Sequence, residues 1–144
     1  MNQTLLALTL ILGVVIYHLG PWGTEHHGPI GVDSNRAIID VGVSNWTSEI
    51  VGSLRPVLVF FHSPNSRKCQ QLYPILSDAN EMLQGRVKFT RIELAKNASV
   101  AMPYEIGQTP SLVMFKDGLK LDTLDEASVR DFTTLEERLL AYCD

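Results

Sequence analysis

The chain has 144 residues, 45% of them hydrophobic and 19% charged, with a net charge of −4. That is room for one globular domain with a proper core and not for two. No basic cluster is longer than Arg67-Lys68, which argues against a nucleic-acid partner. The two cysteines, Cys69 and Cys143, are too few for a disulfide framework and fit no zinc-ligand spacing. No metal or other cofactor is expected.

Asn2 to Thr24 carry no charged side chain, and Leu5 to Leu19 is nearly continuous in Leu, Ile, Val and Ala. A cleaved signal peptide normally has a basic start and a small-residue cleavage site. Here Lys and Arg are absent before Arg36, and His18, Leu19 and Pro21 suit cleavage poorly. Thr4 to Trp22 matches the length needed to span a bilayer, with Tyr17 and Trp22 at one interface. An uncleaved signal anchor or transmembrane helix over 1–23 is therefore favoured over a cleaved peptide or a buried core helix. Residues 24–35 have linker composition, rich in Gly and polar residues. Glu25-His26-His27 lie side by side within it, and adjacent residues in a flexible linker do not preorganise a metal site.

Residues 36–144 hold alternating strand and helix signals. Arg36 to Val43 reads as a strand. Ser44 suits an N-cap for a helix carrying Trp46, Ile50, Val51 and Leu54 and ended by Pro56. Val57 to Phe61 is an unbroken β-branched and aromatic run, the pattern of a buried strand. After His62-Ser63-Pro64, a helix is expected from Ser66 to Leu83 with Leu72, Ile75, Leu76 and Leu83 inward and Pro74 inside it. Val87 to Leu94 alternates as a strand, Ala98 to Tyr104 suits a short helix, and Asp117-Gly118 turns a hairpin between Leu112–Phe115 and Leu119–Leu121. Ser128 to Cys143 is an amphipathic terminal helix with Val129, Phe132, Leu135, Leu139 and Leu140 on one face. The succession predicts an α/β domain, a mixed central sheet with helices on both faces.

The stretch Val57 to Pro74 is a strand, a tight turn and a helix whose first turn holds Cys69, the layout of a thiol redox site. Ser66 occupies the position three residues before Cys69, so the pattern is Ser-x-x-Cys. In this respect the chain resembles the thioredoxin superfamily, and within it the membrane-anchored members of the protein disulfide isomerase group. Phe61 to Cys69 overlays the family's Cys-x-x-Cys region without a gap. Pro74 matches the proline of the active-site helix, and Gln108-Thr109-Pro110 with Ser111 to Gly118 matches the cis-proline loop, its strand and its turn. The likeness covers residues 36 to 144 and is best from 38 to 118.

The resemblance implies a thioredoxin-like fold, a thiol site at Ser66 and Cys69, and a peptide groove beside Thr109 and Pro110, with Arg67 and His62 next to it. It also marks departures. Ser66 replaces the attacking cysteine, Phe60 stands where the family has a buried aspartate, His62 replaces a tryptophan, and Glu126 replaces a groove glycine. A serine hydroxyl is not ionised near neutral pH, so Ser66 cannot open a substrate disulfide. Cys69 is then either a monothiol, with Arg67 and Lys68 lowering its pKa, or a buried remnant. His62 is either satisfied by loop backbone or paired with Cys69.

Asn2, Asn45 and Asn97 head Asn-x-Ser/Thr sequons, which fit a lumenal domain. The flanking acids Glu25 and Asp33 weakly favour an amino terminus in the cytosol and a domain in the endoplasmic reticulum lumen or on another extracytoplasmic side. The expected function is a single-pass membrane protein that engages thiol-containing or unfolded polypeptides, with at most weak monothiol exchange through Cys69. The rival is a redox-inactive module that docks a partner protein. Cys69 and Cys143 are not expected to pair, because a terminal helix of about 15 residues carries Cys143 some 20 Å from the site end.

Overall fold

The computed structural model describes residues 38–143 apart from Gln84 and Glu126. The expected membrane segment 1–23, the linker 24–35, the sequon at Asn2 and the groove position Glu126 lie outside the described residues. Five strands form one mixed sheet: β1 (Ile39–Asp40), β2 (Val57–His62), β3 (Lys88–Glu93), β4 (Ser111–Lys116) and β5 (Leu119–Leu124), ordered β1-β3-β2-β4-β5. β1, β3 and β2 run parallel, while β4 and β5 run antiparallel to their neighbours.

β2 is central because both of its faces are apolar. Leu58 and Phe60 face one core with Leu76, Leu112, Leu135 and Leu139. Val57, Val59 and Phe61 face the other with Trp46, Ile50, Ile92 and Phe115. Each such side chain taken fully from water contributes about 1.5–3 kcal/mol, so a charge on either face of β2 removes the reason for the strand's position. α2 (Arg67–Met82) and α4 (Phe132–Leu140) pack on the first face. A five-residue wide helical turn, α1 (Thr47–Val51), and α3 (Ala98–Ala101) supply the second.

Several boundaries differ from the sequence expectation. Among the described residues β1 is Ile39–Asp40 and stops short of the expected end at Val43, because the chain leaves the sheet at Gly42. There Gly42 N–H donates to Asn45 Oδ1 (2.8 Å) and Val43 N–H to Asn97 Oδ1 (3.2 Å). Ser44 lies in the turn before α1 and does not cap it. α1 ends at Val51, where Gly52 N–H closes on Thr47 O, so Val51 and Leu54 are 41% and 96% exposed while Trp46 and Ile50 are buried. α4 starts at Phe132, not Ser128, because the Asp131 carboxylate accepts from Thr134 N–H (2.9 Å) and caps it. The hairpin is longer than expected, and Asp117 (φ 52°) with Gly118 (φ 75°) gives the two left-handed residues that a tight two-residue turn needs. α2 runs on through Pro74. Cys69 and Cys143 are both free thiols. Lys116 Nζ donates to Tyr142 O, which ties the end of α4 to the end of β4, at the pole of the sheet where β2 begins.

Candidate functional site

The site end of the molecule is where β2 stops. Phe61 is still buried, but His62 and Ser63 are half-exposed, and Pro64-Asn65 turns the chain. Ser66 closes that turn through its amide on Ser63 O (3.1 Å) and sits in an extended conformation. Its Oγ accepts from Cys69 N–H at 3.4 Å. The hydroxyl that replaces a thiol is thus the N-cap of α2, the use for which serine is best suited among helix-starting residues.

Cys69 is 3% exposed and belongs to the core beneath α2 and α4. Its Sγ accepts from Ser63 N–H at 3.5 Å. Arg67 and Lys68 beside it are exposed.

His62 does not complete a Cys-His pair: the hydrogen-bond donor to the sulfur is the Ser63 amide, and the imidazole stacks on Phe60 at 5.6 Å between centroids. Burial lowers its pKa from the usual 6.5, Arg91 lowers it further, and Glu93 and Asp40 oppose the shift. The ring belongs to a cluster on the β1–β3 side. Phe60 meets the Tyr73 ring edge-on, the Arg91 guanidinium lies 5.3 Å over Tyr73, and Arg91 pairs in fork fashion with the Asp40 carboxylate. Phe60 stands where the family pattern has an aspartate, and among the described residues no carboxyl-bearing residue is buried.

A separate groove of about 660 Å³ opens beside α2. Thr109 and Pro110, joined by a cis peptide bond, form one wall. Lys68, Gln71, Leu72 and Ile75 form another, at the i, i+3, i+4, i+7 spacing of a single helix face. Val129 and Arg130 close the far side. Of the residues singled out in the sequence, Thr109 and Pro110 line this groove, whereas Ser66, Arg67, Cys69 and His62 do not. In the sequence Leu72 and Ile75 read as inward positions of the helix, Val129 as part of the apolar face of the terminal helix and Lys68 as a cation beside Cys69; that these and Arg130 line one groove comes only from tertiary packing. Among the described residues no group of three or more His, Cys, Asp or Glu is placed to hold a metal ion.

Asn45 and Asn97, the two sequon asparagines among the described residues, have structural employment. Asn45 Nδ2 donates to Asp40 O (3.2 Å) and Asn97 Nδ2 to Glu93 O (3.0 Å), while their Oδ1 atoms hold the Gly42-Val43 turn.

The family profile described as Thioredoxin matches residues 37–139. Among similar proteins, Thioredoxin 1 of Nostoc sp. is 31% identical over 103 residues, 72% of this chain and 94% of that protein. The chloroplastic thioredoxin M-type of Pisum sativum is 28% identical over 121 residues, 82% of this chain and 68% of that one. Among solved structures, a single-site mutant of thioredoxin from Halobacterium salinarum NRC-1 superposes with a TM-score of 0.67 at 22% identity, covering 79% of this chain and 97% of that one. The zinc-bound form of human ERp44 also gives 0.67, at 20% identity, over 75% of this chain and 32% of that one. At those identities the two structures speak to the fold alone.

Proposed function

This chain belongs to the thioredoxin family, and on that premise we propose that it is a membrane-anchored member of the secretory pathway, related to the protein disulfide isomerase group, that holds polypeptides in the groove beside Thr109-Pro110. Its thiol chemistry is confined to monothiol exchange: the Cys69 thiolate attacks a substrate disulfide, one new S–S bond forms, and the leaving sulfur departs as a thiolate. Without a second cysteine nearby nothing resolves the mixed disulfide. The observation that carries this reading is the division of labour at the site. Ser66 is occupied as a helix cap and Cys69 is 3% exposed, while the groove next to them is open and lined by Leu72, Ile75 and Pro110. An extended peptide pairs with backbone at such an edge and places alternate side chains in the groove. Anchoring rests on the composition of Leu5 to Leu19; among the described residues no helix is long and apolar enough to cross a membrane.

The burial of Cys69 also favours a second reading, in which the fold docks a partner with no thiol chemistry at all. Binding of a labelled unfolded polypeptide separates the two. Leu72→Arg, which places a charge in the groove, is expected to weaken binding about tenfold or more, the equivalent of about 1.4 kcal/mol. Cys69→Ala leaves equilibrium binding unchanged in either case, but in a Cys143→Ser background it abolishes a mixed disulfide trapped with an activated disulfide peptide only in the first. Unaltered binding by Leu72→Arg contradicts the groove assignment.

A further inference from the structure

Between Ser63 and Gln71 the one buried side chain is that of Cys69; Arg67, Lys68, Gln70 and Gln71 on α2 are exposed, and Ser63 and Ser66 are half-buried. The next buried position on α2 is Leu76, two turns further along. A segment packed through a single small side chain shares little of the burial that holds the rest of the domain. Such segments open locally while the core stays folded.

Two hydrogen bonds at Ser63 fix this segment to the end of β2. Ser66 N–H donates to Ser63 O (3.1 Å), and Ser63 N–H donates to Cys69 Sγ (3.5 Å). Inside the segment, Ser66 Oγ accepts from Cys69 N–H (3.4 Å), Ser66 O from Gln70 N–H (3.1 Å), and Pro64 O from Gln70 Nε2 (3.2 Å). These internal bonds keep residues 64–70 together as one piece when the bonds to Ser63 break.

The other end of the piece is marked by Pro74, inside α2. Proline has no N–H to give the carbonyl four residues earlier, here that of Gln70. The turn 67–70 is therefore joined to the body of the helix by one bond fewer than in an uninterrupted helix, and prolines are where helices bend.

We propose that residues 64–70 are a flap, hinged between Gln70 and Pro74, whose opening uncovers the Cys69 thiol. The inference rests on the reading of Cys69 as a monothiol, and deepens it by naming what controls its access. With the flap closed, Cys69 is 3% exposed and the groove takes a polypeptide without thiol chemistry. Lys68, on the flap, forms part of the groove wall, so the uncovered thiol stands beside a bound polypeptide.

The test is the rate of Cys69 alkylation in the full chain, in a Cys143→Ser background, read by mass spectrometry at increasing urea below the unfolding transition. Flap opening exposes little surface, so the rate should stay nearly flat, whereas exposure through global unfolding rises with the full urea dependence of that equilibrium. Ser66→Ala, which removes the cap inside the flap, should speed alkylation roughly fivefold. Pro74→Ala, which returns an amide to Gln70 O, should slow it about threefold. Ile92→Val, a comparable loss of stability in the core on the other face of the sheet, should change it by less than about twofold. A rate that climbs with urea as global unfolding does, or that Ile92→Val raises as much as Ser66→Ala, overturns the flap. An unchanged rate in Pro74→Ala overturns the hinge. A Cys69 that is alkylated through the flap but forms no mixed disulfide with an activated disulfide peptide overturns the monothiol reading and leaves the flap standing.

Discussion

Cys69 N–H points at Ser66 Oγ, 3.4 Å away, so the residue that stands in for a nucleophile is instead the cap of the helix carrying the remaining thiol. Ser66→Ala should therefore lower stability by about 1 kcal/mol, within the 0.5–2 kcal/mol range of lost N-caps, as read by chemical denaturation. Ser66→Cys should form an internal Cys-x-x-Cys disulfide with Cys69, detected as a loss of two thiols on mild oxidation.

Asn97 joins two segments: its Oδ1 accepts from Val43 N–H and its Nδ2 donates to Glu93 O. Asn97→Ala leaves both backbone groups without that partner and is expected to cost about 1–2 kcal/mol. Ser99→Ala removes the same sequon but not the amide, and Ser99 is exposed, so it should stay within about 0.5 kcal/mol of the parent. Equal losses in the two variants would contradict the clamp.

Protonation of His62 should destabilise the fold. Burial and Arg91 lower its pKa below the unfolded value of 6.5, so between the two values the unfolded chain binds more protons and stability rises with pH. This contribution is fully present above pH 6.5 and is lost as pH falls below it towards the folded pKa. His62→Gln should flatten that part of the stability profile. The other histidines, His18, His26 and His27, lie outside the described residues. The carboxylates of Asp40, lowered mainly by the Arg91 hydrogen bond, and Asp122, lowered mainly by Tyr142, act in a separate window, below their usual value of 3.8.

The two thiols should differ in reactivity. Cys69 is 3% exposed, whereas Cys143 is half-buried near the chain end, where its Sγ donates to Leu139 O. Alkylation of the native protein should label Cys143 at least roughly tenfold faster than Cys69, since the buried thiol reacts only through local opening. Peptide mapping with mass spectrometry reads the order directly.

The core and the hairpin turn were legible because they follow from short-range pattern: Val57–Phe61 is apolar on both faces, and Asp117-Gly118 supplies two left-handed residues. The cis-proline loop at Thr109-Pro110 was legible only through the family resemblance. The sequence misplaced an element whose limit is set by a partner distant in the chain. β1 stops where Asn97, 54 residues away, takes the Val43 amide. The start of α4 at Phe132 is instead set locally, by the Asp131 carboxylate that caps Thr134 N–H, and Ser128 lies in a separate helical turn. At the site, the resemblance implied a thiol position at Ser66 and Cys69 and a groove beside Thr109 and Pro110 with Arg67 and His62 next to it. The His62 ring follows Phe60, two residues back on the same face of β2, into the cluster with Tyr73 and Arg91, a contact that no sequence pattern announces. Sequence period fixes which face a side chain takes, and only packing decides what it meets there.

The central claim is a polypeptide-binding groove without dithiol turnover. It is tested most directly by reduction of insulin disulfides with dithiothreitol as electron donor, comparing the protein with Ser66→Cys. The parent should reduce insulin no faster than the donor alone, and Ser66→Cys should raise the rate clearly above that background. Turnover by the parent comparable to that of a dithiol thioredoxin would contradict the account.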